Sequence, residues 1–168
     1  MYKRQGHLVR RFADGKLEVT SNRWLFCTGP GPLDRDDSMR AGMALAKFDE
    51  RFNRFLLKVS GLATTAASVT WGTESKTFTR EQLAAGINLA AEFQVNPFSG
   101  AYAKLWKAVS DKQAYETRQV KEIFHGREGK KDMEAAVAAT EKVRAPLAAA
   151  IKSVMGPVEH ALTVSPVP

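Results

Sequence analysis

The stretch Ser68-Val69-Thr70-Trp71-Gly72-Thr73-Glu74-Ser75-Lys76-Thr77-Phe78-Thr79 decides how the rest of this chain is read. Two short runs rich in β-branched and aromatic residues flank Gly72-Thr73-Glu74, a combination that specifies two antiparallel strands joined by a tight turn. Upstream, Asn53 to Leu62 alternates Phe55, Leu57 and Val59 with Arg54, Leu56 and Lys58, the period of a half-buried strand that ends at Gly61. These three runs predict an antiparallel set of three strands. Downstream, Thr79 precedes Arg80-Glu81-Gln82, so its hydroxyl can accept from the Gln82 N–H while the Gln82 side chain reaches back. A short capped helix is expected from Arg80 to about Ala91.

Nearer the N-terminus, Asp14-Gly15 is a turn signal, and Lys16 to Ser21 with Arg23 to Cys27 read as one or two strands. Thr28-Gly29-Pro30-Gly31-Pro32 can hold neither a ladder nor a helix and is a loop. Between Asp34 and Arg51, the spacing of Met39, Met43, Leu45 and Phe48 permits a short helix that Gly42 weakens. Residues 1–5, Met1-Tyr2-Lys3-Arg4-Gln5, have the look of a non-native scar and are set aside from the fold.

Towards the C-terminus, Asn96-Pro97 opens a longer helix with Phe98, Tyr102, Leu105, Val109, Val120 and Phe124 as its buried stripe, stopping at Gly126. Arg127 to Lys131 is a charged connector. Met133, Val137, Thr140, Val143, Leu147, Ile151 and Val154 then build a second long amphipathic helix, which Pro146 should kink. Gly156-Pro157 ends it, and Val158 to Val164 reads as a short final strand. The chain thus divides into a β-rich segment at 6–79, the capped helix and first long helix at 80–126, and the second long helix with a C-terminal strand or tail at 127–168. Strands first and helices later give an α+β class, a small antiparallel sheet followed by two long helices.

With 168 residues, 44% hydrophobic and 26% charged, the chain has the makings of one packed domain and lacks the bias of a disordered or fibrous sequence. No apolar run is of membrane-spanning length and no signal peptide is visible, so the sequence carries no address. Cys27 is the single cysteine, which excludes an intrachain disulfide. The net charge of +7 is spread along the chain, as +5 over residues 1–60, −1 over 61–103, +4 over 104–131 and −1 over 132–168. Within 104–131, Lys104, Lys107, Lys112, Arg118 and Lys121 alternate with Asp111, Glu116 and Glu122, as on a solvated helix face with i,i+4 pairs, so a nucleic-acid partner is disfavoured.

Candidate chemistry is sparse. Of the three histidines, His125 falls in a last helical turn where it suits the dipole, His160 reads as a surface strand residue, and His7 has no readable context. Asp34, Asp36 and Asp37 lack the glycine and terminal glutamate of a calcium loop and read as a solvated turn. Gly29-Pro30-Gly31-Pro32 cannot cradle phosphate, because proline offers no N–H. Trp24, Trp71 and Trp106 read as core or interface anchors.

The runs Leu56-Leu57-Lys58-Val59-Ser60-Gly61-Leu62, Val69-Thr70-Trp71-Gly72, Phe78-Thr79 and Gln82 to Ala90 resemble the C-terminal region of bacterial SGNH (GDSL-type) hydrolases. The resemblance continues through Asn96-Pro97-Phe98, Lys112 to Thr117 and Pro157-Val158-Glu159-His160, covering roughly Arg11 to Pro166. It implies a longer serine ester hydrolase of acylated carbohydrates or lipid-like substrates. In that family a serine near the start of a flavodoxin-like α/β/α domain is the nucleophile, a glycine and an asparagine hold the oxyanion, and an Asp-x-x-His pair completes the site. None of those blocks occurs in this chain: Asp36-Asp37-Ser38 lacks the leading glycine and follows no strand, so Ser38 is not assigned as nucleophile. Gly6-His7-Leu8-Val9 resembles the segment just after the catalytic histidine, which makes His7 the wrong histidine. The expectation is an accessory region with no catalytic, cofactor-binding or metal residue of its own, partnered by a missing N-terminal catalytic domain. The alternative is a freestanding binding module with a basic helical surface; a structural domain without a ligand is the third reading.

Overall fold

The computed structural model describes residues 3–4, 6–29 and 31–167. Residues 1–99 with 157–168 form one compact unit and residues 100–156 a second. The fold is α+β, as expected. Met1, Tyr2, Gln5, Pro30 and Pro168 lie outside the described residues.

The first unit is built on six antiparallel strands. They are β1 (Lys3–Arg4), β2 (His7–Ala13), β3 (Lys16–Ser21), β5 (Ala66–Trp71), β6 (Glu74–Thr79) and β8 (Val158–Val167), in the order β1-β2-β3-β8-β5-β6. A separate small pair joins β4 (Leu56–Leu57) to β7 (Ile87–Asn88). Short helices fill the connections: α1 (Met39–Leu45), α2 (Phe48–Arg51), α3 (Arg80–Ala85) and α4 (Leu89–Glu92).

Two hairpins frame the sheet. Asp14 and Gly15 are the two central residues between paired Ala13 and Lys16, and both have positive φ, 50° and 73°, the geometry a two-residue turn of this hand requires. A Cβ on Gly15 would stand 2.5 Å from the Val164 carbonyl oxygen, so the close approach of β8 also demands glycine there. In the second hairpin Trp71 pairs with Glu74 across Gly72-Thr73, with φ of 68° at Gly72. Both strands of that hairpin lie where the sequence places them.

β8 is ten residues long and central: it pairs with β3 on one side and β5 on the other. Its alternation buries Val158, His160 and Leu162. Pro166 is tolerated because the Val164 N–H points to Gly15 O (2.9 Å), which puts the nitrogen of Pro166 on the same side, beyond the turn that leads into β3. Inner-face side chains pack on Leu83, Leu89, Phe93 and Phe98, all essentially without exposure. The Trp71 ring meets Phe93 and Phe98 edge-on at 5.9 Å between centroids, contacts worth roughly 0.5–1.5 kcal/mol each beyond burial.

Several expectations are corrected. Lys3 and Arg4, set aside as a scar, pair with Leu8 and His7, and His7–Ala13 is a strand. The run Asn53 to Leu62 does not join the 68–79 hairpin. It is strand only at Leu56–Leu57 and pairs with β7, because the Asn88 side chain captures it: Oδ1 accepts from the Phe55 N–H (2.8 Å) while Nδ2 donates to the Asn53 and Asp49 carbonyls. Arg23 to Cys27 forms no ladder, since the Asn53 carboxamide takes the place of a neighbouring strand, bonding both the N–H and the carbonyl of Phe26 at 3.0 Å. The capping box at Thr79 and Gln82 is present, but the helix stops at Ala85 before Gly86, and α4 is separate.

The second unit contains α5 (Ser99–Arg118, whose first residue belongs to the first unit), a π-helical turn at Gln119–Phe124, α6 (Arg127–Lys131) and α7 (Met133–Val154). Asn96 Oδ1 accepts from the Phe98 N–H at 2.9 Å and closes a turn ahead of the helix, which begins at Ser99 rather than at Pro97. The connector Arg127 to Lys131 is itself helical, and α7 runs through Pro146. Its interior is more polar than the periodicity suggests. Thr140 is buried, donates to the Ala136 carbonyl (2.8 Å) and accepts from Gln119 Nε2 (2.9 Å), and its carbonyl accepts from the Tyr115 hydroxyl (3.1 Å). Met133, Val137 and Val143 of the expected stripe are exposed, as is Val120. The basic residues pair as predicted: Lys107 with Asp111 (2.8 Å), Lys112 with Glu116 (2.5 Å) and Arg118 with Glu122 (3.3 Å).

Candidate functional site: an apolar groove beside a buried serine–histidine chain

Both features lie on the inner face of the six-stranded sheet, in the first unit. At one end Leu17 of β3 and Leu162, Val164 and Pro166 of β8 form the floor of a groove of about 480 Å³, and Leu57, Val59 and Leu62 form its wall. That volume is in the range of small-molecule sites. The lining contains no histidine, acid or cysteine; Lys58 and Ser60 are its polar members and exposed Phe12 stands at its edge. It is equipped to hold an apolar group.

At the other end of the same face, four side chains form a continuous hydrogen-bonded chain. Trp71 Nε1 donates to His160 Nδ1 at 3.1 Å, His160 Nε2 meets Ser21 Oγ at 2.9 Å, and Ser21 Oγ meets His7 Nδ1 at 2.8 Å. The register explains the grouping: His7 stands opposite Ser21, and period-two alternation brings Ser21, His160 and Trp71 to one face of neighbouring strands. Phe55 stacks on His7 at 4.6 Å, and Phe55 and Phe98 meet His160 at 5.8 and 5.2 Å.

The electrostatics follow from this packing. Burial, helped by the nearby charge on His7, pushes the His160 pKa down to about 4, so its ring is neutral at pH 7. His7 is lowered as well, by burial first and the Arg23 guanidinium second. Serine beside histidine suggests a nucleophile and base, but two observations oppose that. Ser21 has no exposed surface, and where a hydrolytic triad places a carboxylate to accept from histidine and strengthen it as a base, Trp71 donates, which weakens it.

The remaining candidates are dispersed. Ser38 caps α1: its hydroxyl donates to the Pro32 carbonyl (2.7 Å) and accepts from the Ala41 N–H (3.4 Å). Asp34, Asp36 and Asp37 are exposed, with Asp37 paired to Arg35 at 2.5 Å. Among the described residues no three His, Cys, Asp or Glu side chains are placed to share a metal ion. Cys27 lies between the Leu25 carbonyl and Asn96 Oδ1, each 3.7 Å from sulfur, and burial raises its pKa, so it stays a thiol. His125 sits at the C-terminal cap of the π-helical turn and is exposed. His160 is the correction: expected at the surface, it is 8% exposed because β8 is flanked on both sides. Trp71 is core as expected, whereas Trp106 is half-exposed and stacks on Tyr102 at 6.3 Å. No helix among the described residues is long and apolar enough to cross a membrane.

No known protein family and no curated protein matches the chain. Among solved structures, a gut microbial diltiazem-metabolizing enzyme is similar in fold, with a TM-score of 0.60 at 16% sequence identity. The match covers 98% of this chain and 47% of that enzyme, so the chain spans less than half of its structural neighbour's length.

Proposed function

We propose that this chain is a non-catalytic accessory region of a longer SGNH-type ester hydrolase, contributing an apolar binding surface to a catalytic apparatus carried elsewhere. The observation that carries the reading is the groove: it has the volume of a small-molecule site but a lining free of histidine, acid and cysteine. Two further points support it. Segments of the sequence resemble that family's C-terminal region, and the structural neighbour is an enzyme that metabolizes a drug and extends over twice the matched length. The i,i+4 pairing of Lys107, Lys112 and Arg118 weighs against a basic nucleic-acid surface as the rival role.

The chain by itself is expected to turn over neither p-nitrophenyl acetate nor diltiazem. Turnover by the unmodified chain would overturn the assignment, whether Ser21→Ala or Ser38→Ala abolishes it or leaves it intact. Sequencing the genomic DNA around the coding region is the complementary test. A frame continuing into Gly-Asp-Ser and Asp-x-x-His blocks is expected, and a closed frame without them refutes the longer hydrolase. Micromolar RNA or DNA binding with a steep salt dependence would favour the binding module instead.

A further inference from the structure

We propose that Trp71, His160, Ser21 and His7 form a one-way hydrogen-bond chain that latches β2 to β8 across β3 while both imidazoles are neutral, and that a proton taken up at His7 releases it. The residues come from β5, β8, β3 and β2, four adjacent strands, so the chain crosses most of the sheet on its inner face.

Donor bookkeeping fixes its direction. The Trp71 indole can only donate, so His160 Nδ1 must be the unprotonated nitrogen and Nε2 must carry the hydrogen. That hydrogen is donated to Ser21 Oγ. The Ser21 hydroxyl hydrogen is then free to point the other way, and the acceptor in reach is His7 Nδ1. Trp71 Nε1, both nitrogens of His160, Ser21 Oγ and His7 Nδ1 are all satisfied in this arrangement, consistent with the absence of unsatisfied buried side-chain atoms among the described residues.

A proton on His7 turns Nδ1 from acceptor into donor. Both imidazoles then donate to Ser21 Oγ, and the serine hydrogen points into a wholly buried space where, among the described residues, the hydroxyl has no other hydrogen-bond partner. Reversing His160 does not help, because its Nδ1 would then oppose the Trp71 N–H. The groups that face this pair are few: Arg23 bears on His7, Phe55 covers the His7 ring, and Phe55, Phe98 and Trp71 surround His160. The downward shifts of both histidines agree with a network built for neutral rings.

The test is nitrogen-15 NMR of the histidine rings in the full chain, followed from pH 7.5 to pH 4. At neutral pH, His160 is expected with Nδ1 bare and Nε2 protonated, and His7 likewise. A hydrogen on Nδ1 of either ring at pH 7.5 in the unmodified protein overturns the proposal without any variant. In Ser21→Ala, where no hydroxyl can be orphaned, the His7 titration should move to higher pH than in the native chain; an unchanged midpoint refutes the coupling. Amide exchange at His7 to Val9, corrected for its intrinsic pH dependence, should accelerate once His7 titrates in the native protein and lose that step in Ser21→Ala. Exchange that ignores the titration means that there is no latch.

Discussion

Acid should weaken this protein through His160, and the size of the effect can be worked out. The ring is held to a pKa of about 4 by burial, against 6.5 for an ordinary histidine. Above pH 6.5 the ring is neutral in folded and unfolded chains alike, and its contribution to stability is complete. As pH falls below 6.5 the unfolded chain takes up the proton first, so stability drains away until the folded ring titrates near 4. A difference of that size corresponds to about 3 kcal/mol if realised in full; between pH 7 and pH 5 the full shift gives about 2 kcal/mol, and with some water contact at the ring about 1–1.5 kcal/mol should be lost. At a urea slope of roughly 1–3 kcal/mol per molar, the unfolding midpoint falls by about 0.5–1 M. Trp71, 5.7 Å from the His160 ring, makes fluorescence a suitable probe. His160→Gln keeps a donor and an acceptor but cannot titrate, so its midpoints at the two pH values should differ much less. A native midpoint identical at pH 7 and pH 5, or a full acid shift persisting in His160→Gln, would refute the reasoning.

Three further outcomes follow from local geometry. Gly15→Ala places a Cβ against the Val164 carbonyl at positive φ and should cost about 1–3 kcal/mol, read as a lowered thermal midpoint. Thr79→Ala removes one arm of the α3 capping box and should cost about 1 kcal/mol, with Thr79→Ser recovering most of it in the same melt. Thr140→Val leaves the buried Gln119 amide without its acceptor; a loss of about 1–3 kcal/mol in urea unfolding is expected, larger than for Thr140→Ser.

Local signals in the sequence mostly reached the structure where the cause was local. The turn at Asp14-Gly15, the Thr79 box and the turn read at Gly72-Thr73-Glu74, of which Glu74 already belongs to the strand, are decided within four residues and are present, while the helix expected to open at Asn96-Pro97 begins at Ser99. What else escaped was decided at a distance. Nothing within Asn53 to Leu62 announces that Asn88, more than 30 residues later, will hold its backbone, or that Asn53 will stand in for a strand beside Phe26. His160 looked superficial because alternation along β8 tells inside from outside only once the flanking strands are known. The chain through Ser21 was equally invisible, since its bond to His160 joins residues 139 positions apart. A faint signal did exist: Leu17, Val19 and Ser21 share one face of β3, which puts a lone hydroxyl among apolar neighbours and calls for a partner.

The central place of β8 sets the timetable for this protein's birth. On the ribosome, the hairpins β2–β3 and β5–β6 emerge long before the strand that will join them, each with a raw edge and no shared sheet. Such contacts, remote along the chain, are slow to form. In the interval the bare flanks of β3 and β5 are the places where a nascent copy would pair wrongly with itself or a neighbour, and where a holding chaperone would do the most good.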